Sequence, residues 1–208
     1  MGLISAGTTI FDAGVVNAGG AMTFIKKITA SSSSTISFVH GSSSVVFDGT
    51  YKEYLFTFNN LHPAANACDF LFNMSVDSGS NYNVAKTTTY LQANNNEADT
   101  NGGLAFREGN VNALHNETGF QSLSTADGIG DDNDQCLSGT LTIFNPASTT
   151  FVKHFMANCN HYSNDNQSIQ NLVAGYCNTT SAINAIQFKM NNGGSDQNTD
   201  SGDICLYG

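Results

Sequence analysis

Apolar and polar side chains alternate along much of this chain, in short runs that polar residues interrupt. In EYLFTF (53–58), Tyr54, Phe56 and Phe58 fall on one face of an extended strand. INAIQFKM (183–190) repeats the pattern, with Gln and Lys alternating against Ile, Phe and Met. A period of two residues is typical of a strand that is buried on one face.

Similar runs recur at short spacing, with turn-forming Gly, Ser, Asn and Asp between them. They are MTFIKKI (22–28), TISFV (35–39), SVVFD (44–48), DFLFNMSV (69–76), KTTTYL (86–91), SGTLTIF (138–144), FVKHFMA (151–157), NLVAGY (171–176) and GDICLY (202–207). No window of helical length shows a clear helical period. The pattern therefore predicts an all-β sandwich or barrel of roughly eleven strands.

Two segments depart from this pattern. The polar stretch 92–135 is too long for a structureless loop, so we expect one or two short strands in it, GGLAF and GFQSL. Residues 1–21 are small and rich in glycine. We interpret them as an N-terminal arm that docks on another molecule, with an ordinary first strand and loop as the alternative. The predicted domains are thus an anchoring arm (1–21) and a β-sandwich (22–208).

Length and charge restrict the partners. The 208 residues suit one domain, and 17 acidic against 7 basic residues give a net charge of −10. Without clustered Lys and Arg, we expect no nucleic-acid partner and no anionic membrane partner. The sequence shows no secretory signal and no apolar stretch long enough to span a bilayer.

Five cysteines are an odd number, so at least one thiol cannot pair within the chain. We interpret them as small buried thiols, which favours assembly in a reducing cytoplasm, although disulfides stay open at this point. The cysteines are Cys68, Cys136, Cys159, Cys177 and Cys205.

The sequence offers no specific catalytic constellation. Asp127, Asp131, Asp132 and Asp134 form an acidic loop with the oxygen ligands that Ca²⁺ prefers, but their spacing does not match an EF-hand, and a solvated loop explains them better. On a strand, His154 and Cys159 would point to opposite faces. We therefore assign no catalytic, cofactor-binding or metal-binding residue, and we expect a protein that is not an enzyme and has no cofactor.

Tyrosines suggest an alternative role, because a tyrosine offers an apolar platform with a polar tip to a sugar. A sugar-binding face would draw on Tyr51, Tyr54, Tyr82, Tyr90 and Tyr162. The same residues at alternating strand positions are also typical of a core.

Four segments together resemble a family of small structural proteins of marine tailed phages, cyanophages among them. They are FIKKITASSSSTISFVHGSSSVVFDGTYKEYLFTFNNLHPA (24–64), SGSNYNVAKTTTY (78–90), LSGTLTIFNPASTTFVKHF (137–155) and INAIQFKMNNGGSDQNTDSGDICLYG (183–208). The resemblance implies a jelly-roll-like β-sandwich of ten or more antiparallel strands, displayed on a virion. It brings no catalytic residues with it.

From the pattern and the resemblance together, we expect a non-enzymatic virion structural protein, located on the capsid as a decoration or head fibre, or in a tail fibre or spike. The arm would attach it to other virion proteins after assembly in the host cytoplasm, and a homotrimer is the expected oligomer. The alternative is a carbohydrate-binding or receptor-binding module that contacts a host-surface glycan. A β-sandwich polysaccharide hydrolase is a third hypothesis.

Overall fold

A computed structural model of the chain describes residues 22–109, 111–124 and 127–208, together with the backbone of three short N-terminal strands. These strands are β1 (Leu3–Ser5), β2 (Thr8–Asp12) and β3 (Val15–Val16), which pair antiparallel in that order. The remainder of the predicted arm (1–21) lies outside the described residues, so its anchoring role stays a prediction.

The other strands cover most of residues 24–207. They are β4 (Phe24–Thr29), β5 (Ile36–Val39), β6 (Glu53–Pro63), β7 (Asp69–Ser75), β8 (Lys86–Asn96), β9 (Gly102–Phe106), β10 (His115–Glu117), β11 (Gln121–Ser122), β12 (Leu137–Phe144), β13 (Lys153–Tyr162), β14 (Gln167–Cys177), β15 (Ala185–Asn192), β16 (Ser195–Gln197) and β17 (Thr199–Tyr207).

These strands form two antiparallel sheets that pack face to face. The large sheet has nine strands in the order β10-β8-β14-β13-β12-β6-β17-β4, with β9 added beside β8. The small sheet has five, in the order β11-β7-β15-β16, with β5 beside β15. The predicted all-β sandwich is confirmed, whereas jelly-roll connectivity stays a prediction.

Aromatic rings fill the space between the sheets. Phe188 of β15 lies at the centre, with its ring 5.3 Å from that of Phe56 and 5.4 Å from that of Phe58 on the large sheet. It also stacks on Phe70 of the small sheet at 5.6 Å. Tyr54, Phe56 and Phe58 are all fully buried, as the alternation in EYLFTF predicts. Edge-to-face and offset ring pairs of this kind add stabilisation beyond the apolar area that they bury.

A bulge shapes the centre of the large sheet. In β6, Asn60 has a φ of +50° and the register against β12 shifts between Phe58 and Leu61. Opposite it, Gly202 of β17 has a φ of +106°, and a Cβ there would come within 2.5 Å of the Asn60 carbonyl oxygen. Only glycine fits this close approach of two backbones.

One predicted strand is wrong. SVVFD (44–48) is a loop, although Val45 and Phe47 are buried as alternation would suggest. The Phe47 amide donates to His40 Nδ1 at 2.9 Å instead of pairing with a neighbouring strand. The loop therefore inserts two apolar side chains into the core without joining a sheet.

The polar middle of the chain contains the short strands expected of it. GGLAF is β9, and GFQSL contains the two-residue strand β11. The prediction of buried thiols also holds for four of the five cysteines, and Cys136 is half-buried. All five cysteines are free.

Candidate functional site

The outward face of the large sheet carries an unusual row of apolar side chains. Phe106, Leu91 and Leu172 are direct cross-strand partners on β9, β8 and β14. Their exposed fractions are 49%, 44% and 46%, and both Leu91 and Leu172 directly follow a fully buried residue of their strand. Because cross-strand partners share a face, the three side chains form one contiguous apolar row.

A second row runs parallel to the first across the other half of the sheet. Met156, Thr142, Leu55, Tyr207 and Phe24 are successive partners on β13, β12, β6, β17 and β4. Met156 is 58% exposed and Phe24 57%. The Phe24 and Tyr207 rings meet edge to face at 5.7 Å, so the row ends in a small aromatic cluster at the β4 edge. We call the two rows together the outer apolar surface.

A shallow groove of about 520 Å³ borders this surface. Phe144, Met156 and Tyr176 are among the residues that line it, and His154 lies 6.0 Å from Tyr176, measured between ring centroids. The positions of both rows carry no Asp, Glu, Lys or Arg, in a chain whose net charge is −10. Contiguous exposed apolar patches of this kind mark contact surfaces on soluble proteins.

A second candidate lies at one end of the large sheet, where a polar cleft of about 380 Å³ opens. The Tyr162 hydroxyl donates to Glu97 Oε1 at 3.2 Å and approaches Asn166 Oδ1 at 3.1 Å. Desolvation and then the Glu97 carboxylate raise the pKa of Tyr162, so the phenol stays protonated near neutral pH. The other lining side chains are Asn95, Asn96, Asn160, His161, Gln167 and Ser168.

The acidic loop adjoins this cleft through Asp127, whose Oδ2 accepts a hydrogen bond from Gln167 Nε2 at 3.3 Å. Asp131, Asp132 and Asp134 are exposed. Among the described residues, no group of three or more His, Cys, Asp or Glu side chains is arranged to hold a metal ion. His154 is exposed and Cys159 buried, on opposite faces of β13 as the spacing predicts.

The structure separates the five candidate tyrosines. Tyr54 and Tyr90 are fully buried, so the hypothesis of one sugar-binding tyrosine face is wrong for these two. The Tyr90 hydroxyl donates to Asn171 Oδ1 inside the sandwich at 2.8 Å. Tyr162 is the one that lines the polar cleft, and its neighbours there are amides and a carboxylate rather than aromatic rings.

Sequence reasoning missed a buried cluster of nucleophiles. Lys153, Cys177 and Lys86 are cross-strand partners on β13, β14 and β8, and all three are fully buried. Burial raises the pKa of Cys177 to about 12, lowers that of Lys86 to about 8, and lowers that of Lys153. The alternation in KTTTYL, which places Lys86 on the same face as Tyr90, is the signal that could have identified it.

The described residues include no helix long and apolar enough to cross a membrane. No protein-family model, curated protein or solved structure matches this chain.

Proposed function

We propose that this protein is a non-enzymatic structural subunit that assembles with other chains through its outer apolar surface. The observation that carries the proposal is the contiguous row of Phe106, Leu91 and Leu172 on the open side of the sandwich. Leaving such side chains in water is unfavourable by about 25 cal/mol for each Å² of apolar area, and an interface removes that cost. Buried thiols with raised pKa values also suit a mechanical role, because thiols held in this state are inert.

A position in a phage virion, on the capsid or in the tail, is the part of the proposal that the family resemblance of the sequence supports. Net negative charge keeps free copies soluble, while the uncharged surface supplies the contact. A homotrimer anchored by residues 1–21 completes the proposal, with other virion proteins as partners.

The surface is tested with Leu172→Lys, measured by light scattering coupled to size-exclusion chromatography. We expect the oligomer to dissociate, because a lysine at this position puts an uncompensated charge in the contact. Ser168→Lys is the matched control, since it adds the same charge to the same exposed face of β14. A monomeric wild-type protein, or equal behaviour of the two variants, would contradict the proposal.

The arm is tested separately by deleting residues 2–21. The remaining domain should fold, as judged by its β-sheet circular dichroism, but should no longer join particles. Unchanged incorporation of the truncated protein into virions would remove the anchoring role and leave the surface assignment standing.

A second candidate function, glycan binding, is favoured by the polar cleft. Amide and carboxylate side chains beside one tyrosine offer the hydrogen-bond partners that a sugar needs. This hypothesis predicts saturable binding on a glycan array, and at least tenfold weaker binding for Tyr162→Ala. An array without signal for the wild-type protein rejects it.

A further inference from the structure

Lys86 is a buried amine that faces a side-chain amide. Its Nζ atom donates to Asn73 Oδ1 at 2.6 Å and to the Val84 carbonyl oxygen at 2.8 Å, and both side chains are fully buried. The ion pairs that the described residues form are Lys27–Asp203 and Lys189–Asp196, and neither involves Lys86. A buried ammonium without a carboxylate is costly, which favours the neutral and nucleophilic amine.

The hydrogen bond holds the amine close to the amide carbon. A carbonyl bond is about 1.23 Å long, so Nζ of Lys86 lies no more than about 3.8 Å from Cγ of Asn73. Reacting atoms in a near-attack arrangement are about 3 to 3.5 Å apart. Burial also lowers the pKa of Lys86 to about 8, so about a tenth of the amine is deprotonated at pH 7.

The surroundings of Asn73 match the needs of acyl transfer. The Met74 amide donates to Oδ1 at 2.8 Å and would stabilise negative charge on that oxygen as the carbon is attacked. Around Nδ2 lie three carbonyl oxygens, those of Tyr82 at 2.7 Å, Thr118 at 2.9 Å and Gly119 at 3.3 Å. The amide nitrogen has only two hydrogens to donate to these three acceptors. Once this nitrogen is protonated as the leaving group, it has three.

We propose that Lys86 and Asn73 form an intramolecular isopeptide bond. The neutral Nζ attacks Cγ of Asn73, a C–N bond forms, and the bond from Cγ to Nδ2 breaks. One proton passes from Nζ to Nδ2, which leaves as ammonia. The amine and the amide are the only reactants, and no oxidant or cofactor takes part.

The bond would join the two sheets of the sandwich. Asn73 lies on β7 of the small sheet and Lys86 on β8 of the large sheet. The Lys86 side chain can reach Asn73 past the edge of the small sheet. The neighbouring strand β11 is too short to block it, because it pairs with β7 only at Leu71 and Phe72 and not at Asn73. A chain with five free cysteines would thereby gain a covalent link that reducing agents do not cleave.

Lys153 is an internal control. It is equally buried and also neighbours Cys177, but its Nζ donates to the Thr179 carbonyl oxygen at 3.3 Å, which is a backbone group. Lys86 should therefore be modified and Lys153 should not.

Tryptic mapping of the full-length, denatured protein tests the bond. Trypsin does not cleave after an acylated lysine. We expect a fragment spanning 53–107 that is lighter than its sequence by one ammonia, together with normal cleavage after Lys153. Tandem mass spectrometry should show the branch between Asn73 and Lys86.

Two variants make the result specific. Lys86→Arg should give the unmodified mass, whereas Lys153→Arg should keep the loss of ammonia. Succinimide formation at Asn101–Gly102 or Asn192–Gly193 would also release ammonia, but it leaves Lys86 open to trypsin. Recovery of unmodified 53–86 and 87–107 from the wild-type protein would overturn the proposal, whatever the variants show.

Discussion

The outer apolar surface and one side of β7 reverse the usual distribution of side chains. This side of β7 faces away from the core but is still buried, and we call it the covered side. On the large sheet, side chains that face water include Leu91, Leu172 and Met156. On β7, Asn73 and Ser75 are fully buried although they alternate with the core residues of that strand. Part of the exposed side is apolar, and part of the covered side is polar.

Hydrogen bonding explains how the covered side tolerates its polarity. Asn73 uses both of its side-chain polar atoms, and the Ser75 hydroxyl donates to Asp77 Oδ1 at 2.6 Å. The Asp77 carboxylate in turn accepts from Asn81, and these bonds lower its pKa to about 2. Burying a polar group costs little free energy when all its hydrogen-bond partners are present. The loops over β7 supply the hydrogen bonds that water would otherwise provide. Among the described residues, the outer apolar surface has no such compensation, which is why we assign it to an interface.

The largest expected effect comes from removing a partner on the covered side. Asn73→Ala removes the proposed link to Lys86 and, in any molecule where that link has not formed, leaves the amine and three backbone carbonyls without their amide. We expect it to destabilise the protein by about 3 kcal/mol. Urea unfolding monitored by circular dichroism measures this loss. A change below about 1 kcal/mol would mean that water enters the site and that the covered side is not sealed.

Substitution of Asp69, at the start of β7, should have the opposite effect and stabilise the protein. Desolvation raises the pKa of its carboxyl group from 3.8 to about 7. Between these two pKa values, the folded state holds a proton on Asp69 that the unfolded state releases. The contribution of this proton to stability is complete below pH 4 and is lost as the pH rises through 7. Asp69→Asn should stabilise the protein at pH 8 by roughly 2 kcal/mol, with the gain disappearing near pH 4.

Urea unfolding of both proteins at several pH values checks this prediction. Carboxylates with lowered pKa values, such as Asp77, are common to both proteins and cancel in the difference. A stability difference that does not vary with pH would show that Asp69 is solvated.

The smallest effect is expected on the outer apolar surface. Leu172 and Val173 are neighbours on β14 that point to opposite faces, and Val173 is only 2% exposed. We expect Val173→Ala to destabilise the monomer by about 2 kcal/mol and Leu172→Ala by less than 1 kcal/mol. Thermal unfolding at low protein concentration compares them, and equal losses would place Leu172 within the fold rather than at an interface.

Local alternation predicts most of the strands but not their partners. It correctly places Tyr54, Phe56 and Phe58 in the core, and the same rule applied to KTTTYL puts Lys86 inside. It fails around Val45, where the residues form a loop. Apolar side chains of a loop that packs on the core can show the same alternation as those of a strand. The contact of Lys86 with Asn73 joins two sheets, and no local period encodes a contact between sheets.

The rows on the large sheet were also beyond sequence reasoning. Leu91 and Leu172 are isolated exposed residues when the chain is read alone, and an isolated exposed leucine is ordinary. Only the pairing of β8 with β14 brings them together. The phage-virion assignment likewise rests on the resemblance of four sequence segments and remains a prediction.

The position of β17 also constrains how the molecule is made. This strand lies between β6 and β4, where Ile204 pairs with Phe58 on one side and with Ile28 on the other. During translation, β4 emerges from the ribosome long before β17 exists to receive it. The edge of β6 that will hold β17 is likewise unoccupied until then. The large sheet therefore cannot close before β17 has been made, and until then the nascent chain must keep two strand edges apart from those of neighbouring chains.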